Sequence, residues 1–400
     1  MKKKESAFTW DSGLDKAEFT NRVTRIKNAM KTQDLDAIII YASPNEFPAS
    51  YIRYISNWGL RDTSLVIIPR IGEPELTSAA VASYAYPFAK ETSWIQRIHP
   101  LKTNIGETIT HSLKQLKLPK SATLGVVGLN SMTHEEYINA TKAMQYYELR
   151  DATGLLDRLR LIKSPQEQKL LRKAAQLCDE AIEQFKKIAK PGISEAQAFA
   201  EMEAYAATHG AEIHSFAINS GCTIASGPFV GIQPTSPRIR KYDKGDLTIV
   251  SSVFRYRGYW SQVIRTGYIG SFSGHGEKIF NIVADAQKEG IKALQPGKPL
   301  KLAYDTMSKT LQESCDTHEH HYHINMGHGI GLSYFEPPRL VFHSNRPDYE
   351  LIVTPGMSLM IHPSFLIEDT AIGAVHADHC LITETGVDVL THSPEGLFTT

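Results

Sequence analysis

The 400 residues are 42% hydrophobic and 22% charged, enough for two domains with cores of their own and unlike a disordered or fibrous chain. Lys plus Arg and Asp plus Glu number 43 each, so no net field draws the chain to nucleic acid or to an anionic membrane, and a small-molecule substrate is the expected partner. The four cysteines, Cys178, Cys222, Cys315 and Cys380, are scattered without CxxC spacing; no apolar run follows the basic start at Lys2 and no stretch of about 18 apolar residues occurs, so a reducing, cytoplasmic location is expected.

In chain order, apolar residues at helical spacing from Lys16 to Met30 lead into residues 35–41, a short apolar run typical of a buried strand. Strand-like runs at 64–69 and 124–128, the amphipathic stretch 108–116, a helix over 135–143 and a strand near 147–150 complete a compact α/β domain over residues 1–160. A second domain, 161–400, begins where Ser164 offers a helix cap, Pro165 a first helical residue and Glu167 an acidic first turn. That helix is predicted to stop before Pro191-Gly192, and a second to run over 195–209. Strands are then expected at 213–219, 247–254 and 259–268, the last two joined as a hairpin through Arg257-Gly258. A further helix pair, 277–294 and 300–313, precedes more strands, including 358–361 and 379–383. The order of two helices followed by strands thus occurs twice, which suggests an internal pseudo-repeat.

One histidine stands out. In Gly327-His328-Gly329 the glycines let the backbone pass closely around the imidazole, and the apolar neighbours predict a buried turn leading off a strand. The run from His318 to His323 reads as the polar loop and strand that deliver His328, because alternate strand residues point apart and cannot converge on one ion. Trp58, Phe229, Tyr259, Trp260, Tyr334 and Phe335 are aromatic candidates for a pocket lining, and core packing explains most of them equally well.

The stretches Arg160 to Ala175, Lys244 to Leu247 with Gly258-Tyr259 and Arg265-Thr266, Gly327 to Leu332 with Glu336-Pro337, Pro355 to Met357, and Ile382 to Gly386 together resemble the creatinase and aminopeptidase P family, in order and over nearly the whole chain. The resemblance implies an N-terminal creatinase-like α/β domain, a C-terminal pita-bread domain and a homodimer. Peptidases of that family hold two metal ions with two aspartates, a histidine and two glutamates, since hard or borderline dications need several anionic oxygens to bridge them and activate water. Counted from the motifs, those positions fall here on Ser251, Gln262, His328, His362 and Ala377, so only the histidine is retained.

What is lost resembles the creatinase branch, which dispenses with metal. Arg61 and Arg339 fall where that branch clamps its substrate carboxylate, a task a guanidinium fork suits. The expectation is therefore a creatinase-like hydrolase or lyase, not a metallopeptidase, acting without metal on a C–N bond of a small carboxylate-bearing metabolite. His328, His362 and His379 are its expected catalytic groups, with Arg61, Arg339, Glu336, Gln262 and Ser251 binding substrate. Two alternatives stay open: one Zn or Fe ion on His328, His362 and His379, or an inactive pseudo-peptidase that acts as a binding protein.

Overall fold

The computed structural model describes residues 12–44, 50–59, 62–82, 84–212, 223–227, 230, 236–272, 274, 276–313, 321–322, 325–341, 350–367 and 372–400. Of the sequence expectations, the strand at 213–219, Arg61, Phe229 and most of the 318–323 run lie outside these residues. The chain divides into two compact units, Met1–Arg160 and Leu161–Thr400.

The first unit follows the order α1 (Lys16–Thr32), β1 (Ala37–Ala42), α2 (Ser50–Ser56), β2 (Ser64–Pro69), β3 (Glu75–Ser78), α3 (Tyr86–Thr92), β4 (Arg97–Pro100), α4 (Ile105–Leu116), β5 (Thr123–Val127), α5 (His134–Ala143), β6 (Glu148–Asp151) and α6 (Thr153–Leu161). Its strands form one sheet of six, ordered β4-β3-β2-β1-β5-β6, with β1 parallel to β5 and antiparallel to β2. Every residue of β1 and β2 is buried, which is why they read as continuous apolar runs instead of alternating ones. Trp58 is fully buried here, its indole N–H donating to Ser64 Oγ at 3.1 Å, so it packs the core of this unit.

The second unit continues with α7 (Pro165–Ile188), α8 (Glu195–Thr208), β7 (Thr223–Ser226), β8 (Leu247–Tyr256), β9 (Tyr259–Tyr268), α9 (Glu277–Ala293), α10 (Lys301–Glu313), β10 (His321–Tyr322), β11 (Asn325–Gly329), β12 (Glu336–Val341), β13 (Ser358–Ile361), β14 (Ser364–Ile367), β15 (Ile372–Val375), β16 (Asp378–Ile382), β17 (Val387–Val389) and β18 (Phe398–Thr399). A helix pair followed by strands occurs twice in this order. Both α7 and α8 start with a reciprocal capping box, Ser164 with Glu167 and Ser194 with Gln197, so the orphan amides of the first turn are satisfied locally. The β8–β9 turn has positive φ at both Arg257 (49°) and Gly258 (91°), the conformation a two-residue hairpin of right-handed twist requires.

Among the described residues three sheets result, ordered β18-β9-β8-β7, β12-β11-β13-β16-β17 and β10-β14-β15. Helix α7 covers one face of the β8–β9 hairpin, where Ser252 Oγ donates to Cys178 O at 3.0 Å. Alternation along β9 turns Trp260, Gln262 and Ile264 to the opposite face. At the edge of β9 away from β8, Trp260 N donates to Gly331 O at 2.8 Å and Ile264 pairs with Ala377, so the hairpin edge meets the segments that follow β11 and precede β16.

Gly327-His328-Gly329 is not a turn. It lies within β11, between β12 and β13, with His328 opposite Arg339 on one side and Met360 on the other. The glycines are needed because neighbouring strands press on them: a β-carbon at 327 would run into Met360 O, and one at 329 into Pro337 O and Glu336 O. Sequence spacing registers the close approach but not whether a turn or a neighbouring strand causes it. Gly327→Ala should destabilise the second unit by about 1–3 kcal/mol through backbone displacement. Chemical denaturation monitored by tryptophan fluorescence checks this, and an unchanged midpoint would show that β11 has room to spare.

Candidate active site

His328 is fully buried. Its Nδ1 lies 2.8 Å from Gly329 O, and because a carbonyl only accepts, Nδ1 carries the hydrogen. Nε2 is then the lone-pair nitrogen of a neutral ring, and among the described residues it has no hydrogen-bond partner. Burial holds the imidazole well below its ordinary pKa, and the neighbouring His362 and Arg339 push the same way. Around it stand His362 at 5.2 Å between ring centroids, Tyr334 at 5.4 Å and Phe335 at 4.3 Å. Arg339 lays its guanidinium 4.8 Å from the Phe335 ring centre.

On the hairpin face turned toward this cluster, Gln262 donates from Nε2 to Ser251 Oγ at 3.0 Å, while its Oε1 is buried with no partner among the described residues. Trp260, two residues earlier on the same face, stacks edgewise on Tyr334 at 6.0 Å. A buried acceptor left unmade costs about 1–3 kcal/mol, so the site holds two such costs on neighbouring elements.

His379 is placed differently. Register puts His328, Met360 and His379 in one row across the sheet, yet both nitrogens of His379 are taken, Nδ1 by Ser261 Oγ at 2.8 Å and Nε2 by Ser358 Oγ at 2.7 Å. Burial, then Lys163, pushes its pKa down to about 3. Glu336 is likewise engaged, in a buried ion pair with Lys163. Tyr259, an expected lining residue, donates from its hydroxyl to Glu167 Oε1 at 3.0 Å and belongs to the packing of α7.

Behind the row lies a network that sequence reading left out. Asp378 accepts from Arg265 Nη2 at 2.6 Å, Gln287 Nε2 at 2.6 Å and Thr391 Oγ1 at 2.7 Å. Burial, the largest single influence, would raise the Asp378 carboxyl, but Arg265, His376 and the Thr391 hydrogen bond together outweigh it and hold the carboxyl below its usual value. Arg265-Thr266 already appeared among the motif residues; what it binds could not be read from spacing.

The protein profile described as "Metallopeptidase family M24" matches residues 169–384, and that of the "Creatinase/Prolidase N-terminal domain" matches 22–162. The chain belongs to metallopeptidase family M24. It is 32% identical over 268 residues to an uncharacterized peptidase, YqhT, of Bacillus subtilis, covering 67% of this chain and 72% of that one. An Xaa-Pro dipeptidase of Pyrococcus horikoshii is 26% identical over 377 residues, 94% of this chain and 98% of the relative. Among solved structures, an Xaa-Pro dipeptidase from Bacillus anthracis superposes with a TM-score of 0.81 at 24% identity, covering 96% of this chain and all of that one (100%). The fold of this M24 chain is thus a creatinase-like α/β unit followed by a pita-bread unit.

Membership corrects several expectations. A creatinase-like hydrolase or lyase on a non-peptide C–N bond gives way, because relatives and structural neighbours named for an activity, among them Xaa-Pro dipeptidases, are peptidases. The exclusion of a metallopeptidase gives way with it, as do the metal-independent chemistry, the single Zn or Fe ion and the pseudo-peptidase alternative, since the family is one of metallopeptidases. Replaced carboxylates at four positions are a local feature, whereas family membership is carried by similarity along the whole chain.

Ser251, Gln262, His328, His362 and Ala377 offer a hydroxyl, an amide, two imidazoles and a methyl, with no anionic oxygen to offset two dications. Among the described residues no group of three or more His, Cys, Asp or Glu side chains is arranged to hold a metal ion. The donor set does not fit the family's dinuclear centre, and no chemical step is derived through it.

The buried histidines make stability depend on pH. An unfolded histidine titrates at about 6.5, whereas His376, buried and beside Arg265, is lowered to about 4, and His379 to about 3. Their folded values being depressed, the stability they permit is fully present above about 6.5 and is lost as pH falls from there toward the folded values, at up to about 1.4 kcal/mol per pH unit for each ring. Urea denaturation at a series of pH values should show this loss. His379→Asn should make the dependence shallower, and an unchanged slope would show that His379 is not held neutral.

Proposed function

We propose that this M24 chain hydrolyses short peptides of the Xaa-Pro class, as a homodimer, at the site centred on His328. The observation that carries this reading is the match to an Xaa-Pro dipeptidase along 94% of the chain and 98% of the relative. The local chemistry is compatible with a small zwitterion. Arg339, opposite His328 across the β11–β12 ladder, offers a cation for the peptide carboxylate. The rings of Trp260, Tyr334 and Phe335 present apolar faces of the kind a pyrrolidine packs against. The neutral His328 ring holds its proton at Nδ1 against Gly329 O and keeps Nε2 available as an acceptor.

Proline release from glycyl-proline, alanyl-proline and methionyl-proline, assayed with Mn, Co or Zn supplied in turn, tests the reading. Release is expected from the purified protein, with His328→Ala reducing it at least about 100-fold and Arg339→Ala weakening substrate binding by about 2 kcal/mol. No release with any metal, or equal release by His328→Ala, would overturn it. Light scattering checks the dimer, and a monomer at assay concentration would contradict that part.

A further inference from the structure

His328 is 0% exposed, yet the ring nearest to it, Phe335 at 4.3 Å between centroids, is 45% exposed. Phe335 therefore has the imidazole on one side and solvent on another. The other two rings around His328, Tyr334 and His362, are half-buried, so Phe335 is the member of the cluster that water reaches most. It lies in the connection between β11 and β12, one residue before β12 begins, outside the strand ladder. Over it rests Arg339, its guanidinium 4.8 Å from the ring centre. Arg339 is also the cross-strand partner of His328, so cation, phenyl ring and imidazole meet on one face of the β11–β12 pair.

We propose that Phe335 is a gate over His328, latched by Arg339 and released by a ligand carboxylate, so that the site selects carboxylate-bearing ligands by access as well as by affinity. This takes from the peptide reading only Arg339 as the cation for a carboxylate, and adds what that contact does to the imidazole behind the ring. Arg339 cannot serve both partners fully. A guanidinium on an aromatic face is held by a diffuse attraction, whereas a carboxylate takes two directed N–H bonds in the guanidinium plane. Drawing the guanidinium onto a carboxylate frees the ring, and a half-exposed side chain on a connection gives up little packing when it turns to another staggered rotamer. A neutral amide of the same size lacks the charge to compete, so it leaves the latch closed and His328 covered. Phe335 is then a specificity-determining residue that acts through access.

Diethyl pyrocarbonate, which acylates neutral imidazoles at the lone-pair nitrogen, tests this on the full chain at pH 7, with each histidine followed by peptide mass spectrometry. Burial keeps the His328 ring neutral there, so its rate reads access and not protonation. Phe335→Ala and Arg339→Gln should each speed modification of His328 by at least about tenfold, as expected when a sparsely populated open state becomes a major one. Phe335→Trp, which keeps a ring for Arg339 to rest on, should stay slow. Propionate should speed the wild-type reaction and propionamide should not, and propionate should have no effect on Arg339→Gln. His379, buried and bonded at both nitrogens, is the internal control and should react slowly throughout. If Phe335→Ala speeds His379 as well, that variant has lost its fold, and the comparison of propionate with propionamide on the wild-type chain decides instead. An unchanged His328 rate in folded Phe335→Ala overturns the gate, and equal effects of propionate and propionamide overturn its release by a carboxylate. Modification is read without turnover, so a gate that fails leaves the peptide reading standing, and proline release that fails leaves the gate standing.

Discussion

The buried ion pair between Arg265 and Asp378 is the contact on which the geometry of the site depends. Two charges taken out of water are tolerated only when every remaining hydrogen-bonding position is filled, and here they are used to tie chain segments together. The Arg265 guanidinium also donates to Ala377 O at 2.8 Å and to Ser393 O at 2.8 Å, joining β9 to the start of β16 and to the C-terminal segment. The second Asp378 oxygen takes Gln287 from α9. Removing one partner would strand the other charge in a dry interior, which is far more damaging than losing an exposed pair.

From that anchor the site is set by a short relay. His379, one residue after Asp378, bridges the hydroxyls of Ser261 on β9 and Ser358 on β13. The backbone carbonyl of Ser358 receives Ile330 N at 3.2 Å, immediately beyond the strand that carries His328. His379 is therefore tied at both ring nitrogens to the strands on either side of it, while His328 is held at Nδ1 alone. Two of the expected catalytic histidines thus differ in a way that only their hydrogen bonds show: among the described residues His328 has a nitrogen to spare and His379 has none.

Much of this fold was legible in the sequence. Ser164-Pro165 announces α7 because capping chemistry is local, the Arg257-Gly258 turn fixes the β8–β9 hairpin, and both ends of β9 and β13 coincide with the expected runs. Short elements such as α2, β3, β14 and β15 escaped, since four to seven residues carry too little periodicity to separate a strand from a buried loop. The pairing of Arg265 with Asp378, 113 residues apart, has no local signature at all. Activity was the least legible part. Losing carboxylates at Ser251, Gln262, His362 and Ala377 states what those side chains do not offer a metal, but it does not say which substrate the retained surroundings accept, and similarity to Xaa-Pro dipeptidases along nearly the whole chain redirects that inference.

The protonation and environment of His328 bear most directly on the central claim, that its Nε2 is a buried acceptor where the substrate binds. Nitrogen-15 spectra of the imidazole side chains near neutral pH, assigned with His328→Gln, report both ring nitrogens. With hydrogen at Nδ1 and a bare Nε2, the free protein should show one protonated and one unprotonated nitrogen for His328, and the unprotonated signal should shift on saturation with glycyl-proline. Hydrogen at Nε2 in the free protein, or a His328 signal unmoved at saturating ligand, would contradict it.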